Sequence, residues 1–200
     1  MTDKTYPVVS HFNTLQGEGH WSGHASYFIR LAGCDVGCTW CDTKESWSLE
    51  GHPNVGVAEL VTAAKRAGAR TVVVTGGEPT MHDLAPLTEA LADVGCRIHL
   101  ETSGAHALTG SFDWITLSPK KFKPPVPSAY DVVDELKIVV ANLSDFEWAE
   151  LHKRRCPSSI KAMLQPEWDS PHMLPAMVDY VKKHPEWTIS LQTHKYLNIP

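Results

Sequence analysis

Hydrophobic and polar positions alternate along this chain in a repeating order of strand, loop, helix and strand. Val8–Phe12 reads as a short strand and Asn13–His20 as a glycine-rich loop, for which an ordinary hairpin turn is the plain reading. Ser26–Leu31 is a second strand. From Val57 to Ala67 the apolar residues Val57, Leu60, Val61 and Ala64 recur with helical period, and Gly68 suits the position after the helix. Thr71–Thr75 is a continuous β-branched run, the pattern of a strand covered on both faces.

The alternation continues to the end of the chain. A helix is expected from His82 or Asp83 to Val94, then strands at Arg97–Glu101, Trp114–Leu117 and Glu135–Val140. Ser144 is placed to cap a helix carrying Phe146, Trp148, Ala149 and Leu151. Ile160–Leu164, a helix from Met173 to about Lys183, the strand Thr188–Gln192 and a tail from Thr193 to Pro200 complete the series. Such an order predicts βα units and a mostly parallel α/β sheet. A complete eight-fold barrel takes roughly 250 residues. At 200 residues any barrel here is partial, with trimmed helices, in one domain spanning residues 1–200.

Polar clusters fall at the ends of successive predicted strands: the cysteine loop after Leu31, Gly76-Gly77-Glu78-Pro79, Glu101-Thr102-Ser103-Gly104, Ser118-Pro119-Lys120-Lys121 and Gln165-Pro166-Glu167. In parallel α/β sheets the carboxyl ends of strands line one site, so these five segments are expected to converge.

Composition adds exclusions. The net charge of −5 argues against a broad nucleic-acid footprint, and no apolar run reaches the length of a membrane span. Met1-Thr2-Asp3-Lys4 is followed by no apolar leader segment. Five cysteines, three of them clustered, fit a reduced cytoplasmic metalloprotein better than a disulfide scaffold. Cys96 and Cys156 stand apart and read as packing or idle thiols.

The three clustered thiols carry the chemistry. Cys34, Cys38 and Cys41 follow a C-x3-C-x2-C spacing, with Gly33 and Gly37 allowing the loop to turn its side chains inward. Soft thiolates suit zinc or an iron–sulfur cluster. A closed zinc site wants four protein ligands, whereas three leave one position open. Zinc and free thiols are the plain alternatives. Arg30, near the end of an apolar strand, either snorkels to solvent or meets an anion. Lys120, Lys121 and Lys123 read as a solvated basic turn, from which Lys120 is drawn into the site. Glu101 is a candidate proton acceptor or hydroxyl anchor, with simple solvation as its alternative, and His194 is the histidine nominated from the tail. The seven tryptophans read as core and cover, with Trp40 shielding the cysteine loop.

The cysteine spacing followed by Gly76-Gly77-Glu78-Pro79 resembles the radical S-adenosylmethionine superfamily. Leu15–Gly19, Phe28–Arg30, Cys41–Thr43, Thr75–Pro79, Glu101–Gly104, Ser118–Lys120 and the ending Gln192–Pro200 together resemble its 7-carboxy-7-deazaguanine synthase family. The resemblance implies conversion of 6-carboxy-5,6,7,8-tetrahydropterin to 7-carboxy-7-deazaguanine with loss of ammonia, on the route to queuosine-type 7-deazapurines. It implies a [4Fe–4S] cluster on Cys34, Cys38 and Cys41, S-adenosylmethionine, and Mg2+ on the Thr43 hydroxyl. It assigns the pterin to Leu15, Gln16, Gly17, Arg30, Thr75 and Pro200. S-adenosylmethionine is assigned to Gly77, Glu78 (as an added negative charge), Ser103, Ser118, Pro119, Lys120 and Gln165, with Pro166, Glu167 and Trp168 completing the set. The tail from about residue 192 to 200 would close the site. A flavodoxin-like reductant and a homodimer are further expectations. A glycyl-radical-enzyme activase and a non-catalytic metal-binding or electron-carrier module are the alternative functions.

Overall fold

A computed structural model describes residues 4–200; Met1–Asp3, part of the segment read above as lacking an apolar leader, lie outside the described residues. The backbone forms one nine-stranded sheet. Its strands are β1 (Thr5–Leu15), β2 (Ala25–Leu31), β3 (Asn54–Gly56), β4 (Thr71–Gly76), β5 (Arg97–Thr102), β6 (Trp114–Leu117), β7 (Glu135–Val140), β8 (Lys161–Pro166) and β9 (Trp187–Ile189). Spatial order is β3-β1-β2-β4-β5-β6-β7-β8-β9. From β2 to β9 every neighbouring pair is parallel. β1 pairs antiparallel with β2 and with β3. β3 and β9 remain as edges, so the sheet is a β/α barrel that does not close.

The helices are α1 (Val57–Arg66), α2 (Ala85–Asp93), α3 (Ser144–Lys153), α4 (Leu174–Lys183) and α5 (Thr193–Leu197). The connections β5–β6 and β6–β7 contain no α-helix, which is how the barrel fits a short chain. Strand alternation sends one set of side chains outward to the helices and the other into the lumen. Outward-facing Ile98 and Leu100 pack with Leu60, Leu87 and Leu91. Outward-facing Leu136, Ile138 and Val140 pack with Ala149, Met177 and Trp187. Each fully buried leucine in these layers contributes about 1.5–3 kcal/mol. Cys96 and Cys156 lie in the same two layers, consistent with packing thiols.

Several local expectations change. β1 runs the full Thr5–Leu15 because both its edges are paired, including the short β3 that no sequence pattern announced. Residues 79–81 form a 3-10 turn before α2 starts at Ala85, since Pro79 and Pro86 cannot donate within a longer helix. Ser144 does not cap α3. Instead Asn142 Oδ1 accepts from the Ser144 amide, and Asp145 Oδ2 accepts from the amides of Ala141 and Asn142. β9 is shorter than expected, and the tail coils into α5 with Asn198 in the left-handed conformation beyond it.

Candidate active site

Beyond the carboxyl ends of the parallel strands opens a cleft of about 670 Å³, within the range of small-molecule sites. All five polar strand-end segments contribute to its wall. The cysteine loop leaves β2 and turns back under its own backbone. The Gly33 and Cys34 amides donate to the carbonyls of Ser46 and Trp47 at 2.7 and 3.1 Å, and Ser46 Oγ donates to the Thr43 carbonyl at 2.6 Å. The Gly-Gly-Glu-Pro turn docks against the loop's base. Gly77 N donates to Leu31 O at 2.9 Å and Glu78 N to Gly33 O at 2.8 Å. Glycine is required here: Gly76 has φ of +143°, and a Cβ on Gly76 or Gly77 would strike the backbone of Leu31 or Gly33.

All five cysteines are free, and Cys34, Cys38 and Cys41 pack together with Val36 and Ala105 at the cleft wall. Burial raises the Cys34 thiol above its ordinary value and that of Cys38 to about 11. Protonated and clustered, such thiols release their protons on meeting a soft metal. The donor set is three sulfurs, and among the described residues no histidine or carboxylate completes it as a fourth ligand, so it fits a cluster with one open position better than closed zinc.

Glu78, expected as an added negative charge for S-adenosylmethionine, lines the cleft, and its carboxylate is engaged by protein donors. It is 1% exposed; Oε1 accepts from the Thr80 amide and hydroxyl and from Thr102 Oγ1, and Oε2 from the amide and hydroxyl of Ser103. Five donors around one carboxylate tie the ends of β4 and β5 together. Pro119 is buried and absent from the cleft wall, unlike its neighbours Ser118 and Lys120. The Lys120 ammonium donates to the carbonyl and hydroxyl of Ser118, and burial lowers its pKa to about 8. Lys121 and Lys123 are engaged rather than merely solvated, with Asp145 and Asp35 respectively.

The remaining sequence candidates line the cleft: Leu15, Gln16, Gly17, Arg30, Thr43, Thr75, Gly77, Glu101, Ser103, Gln165, Pro166, Glu167, Trp168, His194 and Pro200. Arg30 donates to Thr43 Oγ1 at 3.4 Å, and Thr43 donates to Asp42 Oδ1 at 3.2 Å. Gln165 Oε1 accepts from Ser190 Oγ at 2.8 Å. The tail is fastened by Thr193, whose amide and hydroxyl both donate to Gly17 O, and by Lys195, paired with Asp42 at 3.1 Å. A Cβ on Gly17 would run into the His194 side chain, so the pterin-assigned loop and the tail fit only through a glycine. Pro200 O accepts from Thr14 Oγ1 at 3.4 Å.

Sequence reasoning missed the centre of the cleft floor. Lys137, on the inward face of β7 and 5% exposed, donates to Glu18 Oε2 at 2.6 Å and Glu101 Oε2 at 2.9 Å. Gln16 Nε2 reaches Glu101 Oε1 at 3.3 Å and Gln192 Nε2 reaches Glu18 Oε1 at 2.8 Å. Burial alone would raise the Glu18 carboxyl, but the Lys137 ammonium outweighs it and brings it to about 2. For Glu101 burial prevails and the pKa stays raised. The available signal was a lysine between Leu136 and Ile138 in the strand Glu135–Val140, where an unpaired ammonium would be costly.

Comparison with known proteins agrees with this geometry. Residues 28–137 match the Radical SAM superfamily model. The chain is 49% identical over 195 residues to a 7-carboxy-7-deazaguanine synthase of Synechocystis sp., covering 98% of this chain and 94% of that protein. It is 48% identical to the Flavobacterium psychrophilum protein of that name, with 97% and 92% covered, and 34% identical to the Escherichia coli one, with 97% and 99% covered. The solved structure described as QueE from Escherichia coli superposes with a TM-score of 0.82 at 32% identity, over 95% of each chain.

Proposed function

The chain belongs to the 7-carboxy-7-deazaguanine synthase family of the radical SAM superfamily, and we propose from this and the cleft a residue-level account of its reaction. It is a radical SAM enzyme that makes 7-carboxy-7-deazaguanine from 6-carboxy-5,6,7,8-tetrahydropterin with loss of ammonia. Relatives matched along nearly their whole length do not favour an activase or a carrier module. The observation that carries the reading is the meeting of three free thiols with the Gly76-Gly77 turn on the wall of one cleft.

Cys34, Cys38 and Cys41 would hold a [4Fe–4S] cluster, whose open position takes S-adenosylmethionine. When bound, this pair would supply one-electron radical chemistry beside the substrate. Gly77, Ser103, Ser118, Lys120 and Gln165 line the wall assigned to S-adenosylmethionine. Glu78 acts through Ser103 and Thr102, holding the strand ends in place. Arg30 offers a planar guanidinium to the substrate carboxylate. Leu15, Gln16, Gly17 and Thr75 flank the pterin, and Glu101, whose proton is held more tightly than in water, suits proton transfer during ammonia loss.

The Thr43 hydroxyl, beside Asp42, is the proposed Mg2+ ligand, a hard ion suited to oxygen donors and retained waters. We further propose that residues 192–200 close the single-domain site, with Pro200 facing the substrate. The protein would act in the cytoplasm as a homodimer, fed by a flavodoxin-like one-electron donor. Anaerobic incubation of iron-reconstituted protein with S-adenosylmethionine, reductant and the carboxytetrahydropterin tests the reading. It predicts 7-carboxy-7-deazaguanine as product, stimulated by Mg2+. Formation of 5′-deoxyadenosine without any deazapurine would defeat the substrate assignment.

A further inference from the structure

Lys137 has three N–H bonds to give. Glu18 Oε2 takes one and Glu101 Oε2 a second; the third has no partner among the described residues, and Lys137 belongs to the cleft wall. On either side stand carboxylates with acceptor capacity left after Gln192 and Gln16 are counted. The cleft floor therefore presents acceptor, donor, acceptor in the order Glu18, Lys137, Glu101. The three groups come from three different elements: the β1–β2 connection, β7 and β5. A carboxytetrahydropterin carries the complementary series along one edge, with N3–H, the 4-oxo oxygen and N5–H.

We propose that Lys137 is the specificity-determining residue of this cleft, donating its third N–H to the 4-oxo oxygen while Glu18 and Glu101 accept from the flanking N–H groups. The inference rests on the pterin reading above and goes beyond it by naming the ring atom that is read. A lysine present only to neutralise two carboxylates would be indifferent to the substituent at position 4. A lysine that reads the 4-oxo oxygen rejects a ring bearing an amino group there, because two donors then face each other.

The test compares 6-carboxy-5,6,7,8-tetrahydropterin with 6-carboxy-2,4-diamino-5,6,7,8-tetrahydropteridine at a pH where both rings are neutral. Both keep N5–H, and because the 4-amino ring also gives up N3–H opposite Glu18, the share read by Lys137 is taken from its variants. Binding is followed by tryptophan quenching of the iron-reconstituted protein with S-adenosylmethionine, alongside product formation from the carboxytetrahydropterin. The unaltered protein should prefer the 4-oxo ring by at least roughly 10- to 100-fold, the range of one charge-assisted hydrogen bond. K137M should reduce that preference by roughly tenfold or more, leaving the share owed to Glu18 at N3, while keeping its iron. K137R, which retains a cation, should keep part of it. Equal binding of the two rings by the unaltered protein overturns the inference, whether or not K137M folds. So does full discrimination by K137M. A protein that makes no deazapurine from the carboxytetrahydropterin overturns the functional reading instead.

Discussion

The upper and lower halves of the barrel lumen are built by the same strands and the same alternation, yet they differ in chemical character. At the carboxyl ends, Glu101 of β5 and Lys137 of β7 are bonded to each other at 2.9 Å on the cleft wall, with donor and acceptor capacity to spare. Two residues earlier on the same strands lie His99 and Glu135, both buried among aromatics. The β1–β2 connection descends between the halves. Glu18 meets Lys137, then the amides of Gly19 and His20 donate to Ser190 Oγ and Glu135 Oε2. Below, Trp21 packs against His99 and Trp114, and His20 stacks on Trp114. Above, Lys137 holds Glu18 charged although burial still raises Glu101; below, no ammonium is buried among the described residues, and burial keeps His99 neutral and raises the Glu135 carboxyl. One end of the lumen is arranged to receive a ligand and the other to plug the barrel.

The strongest way to separate the halves is to remove a metal ligand from the upper one. Cys38→Ala should lower deazapurine formation more than 100-fold and deplete cluster iron, because two thiols and no fourth protein ligand do not hold a cluster. Its melting temperature in the absence of metal should stay within a few degrees of the unaltered protein. Retained iron, measured with acid-labile sulfide, would show that the lumen's upper rim is not the cluster site.

A smaller effect is expected where the cleft meets the substrate's charge. Arg30→Gln keeps a donor but loses the guanidinium fork. It should raise KM for the carboxytetrahydropterin roughly 10- to 100-fold, corresponding to about 1.5–3 kcal/mol for a hydrogen bond to a charged group. Iron content and cleavage of S-adenosylmethionine without substrate should not change. An unchanged KM would return Arg30 to its plain reading as a strand-end arginine.

The same division explains what the sequence made legible. The parallel sheet was visible because strand and helix periods are local, and the polar strand-end segments pointed to one site because the topology brings such ends together. The cysteine loop and the Gly-Gly-Glu-Pro turn are contiguous and so could be recognised as units. Lys137, Glu18 and Glu101 are far apart in sequence, and their contact depends on the lumen's curvature. β3 is three residues long and exists only because β1 offers it an edge. The partners of Glu78 were hidden for a related reason: besides the adjacent Thr80, its donors Thr102 and Ser103 arrive from the end of β5.

The lower half can be tested by its acid response, the smallest of the three effects. Burial, reinforced by the charge of Arg97, lowers the His99 pKa from 6.5 to about 4, with Asp113 opposing and His24 assisting. Between those values the folded protein keeps His99 neutral while the unfolded chain protonates it. Unfolding then takes up protons, so this contribution to stability is fully present above about pH 6.5 and is lost as pH falls through about 4. Its full size is about 3 kcal/mol. His152, stacked on Tyr130 outside the lumen and also lowered to about 4, titrates in the same window. His99→Leu removes the lumen's share alone. Since His99 Nε2 has no hydrogen-bond partner among the described residues, leucine forfeits no bond there. Urea midpoints measured at pH 7 and at pH 5 should therefore fall less for His99→Leu than for the unaltered protein, by roughly half of the histidine-linked loss. Equal falls would mean that His99 is solvated, and that the lower lumen is as wet as the cleft above it.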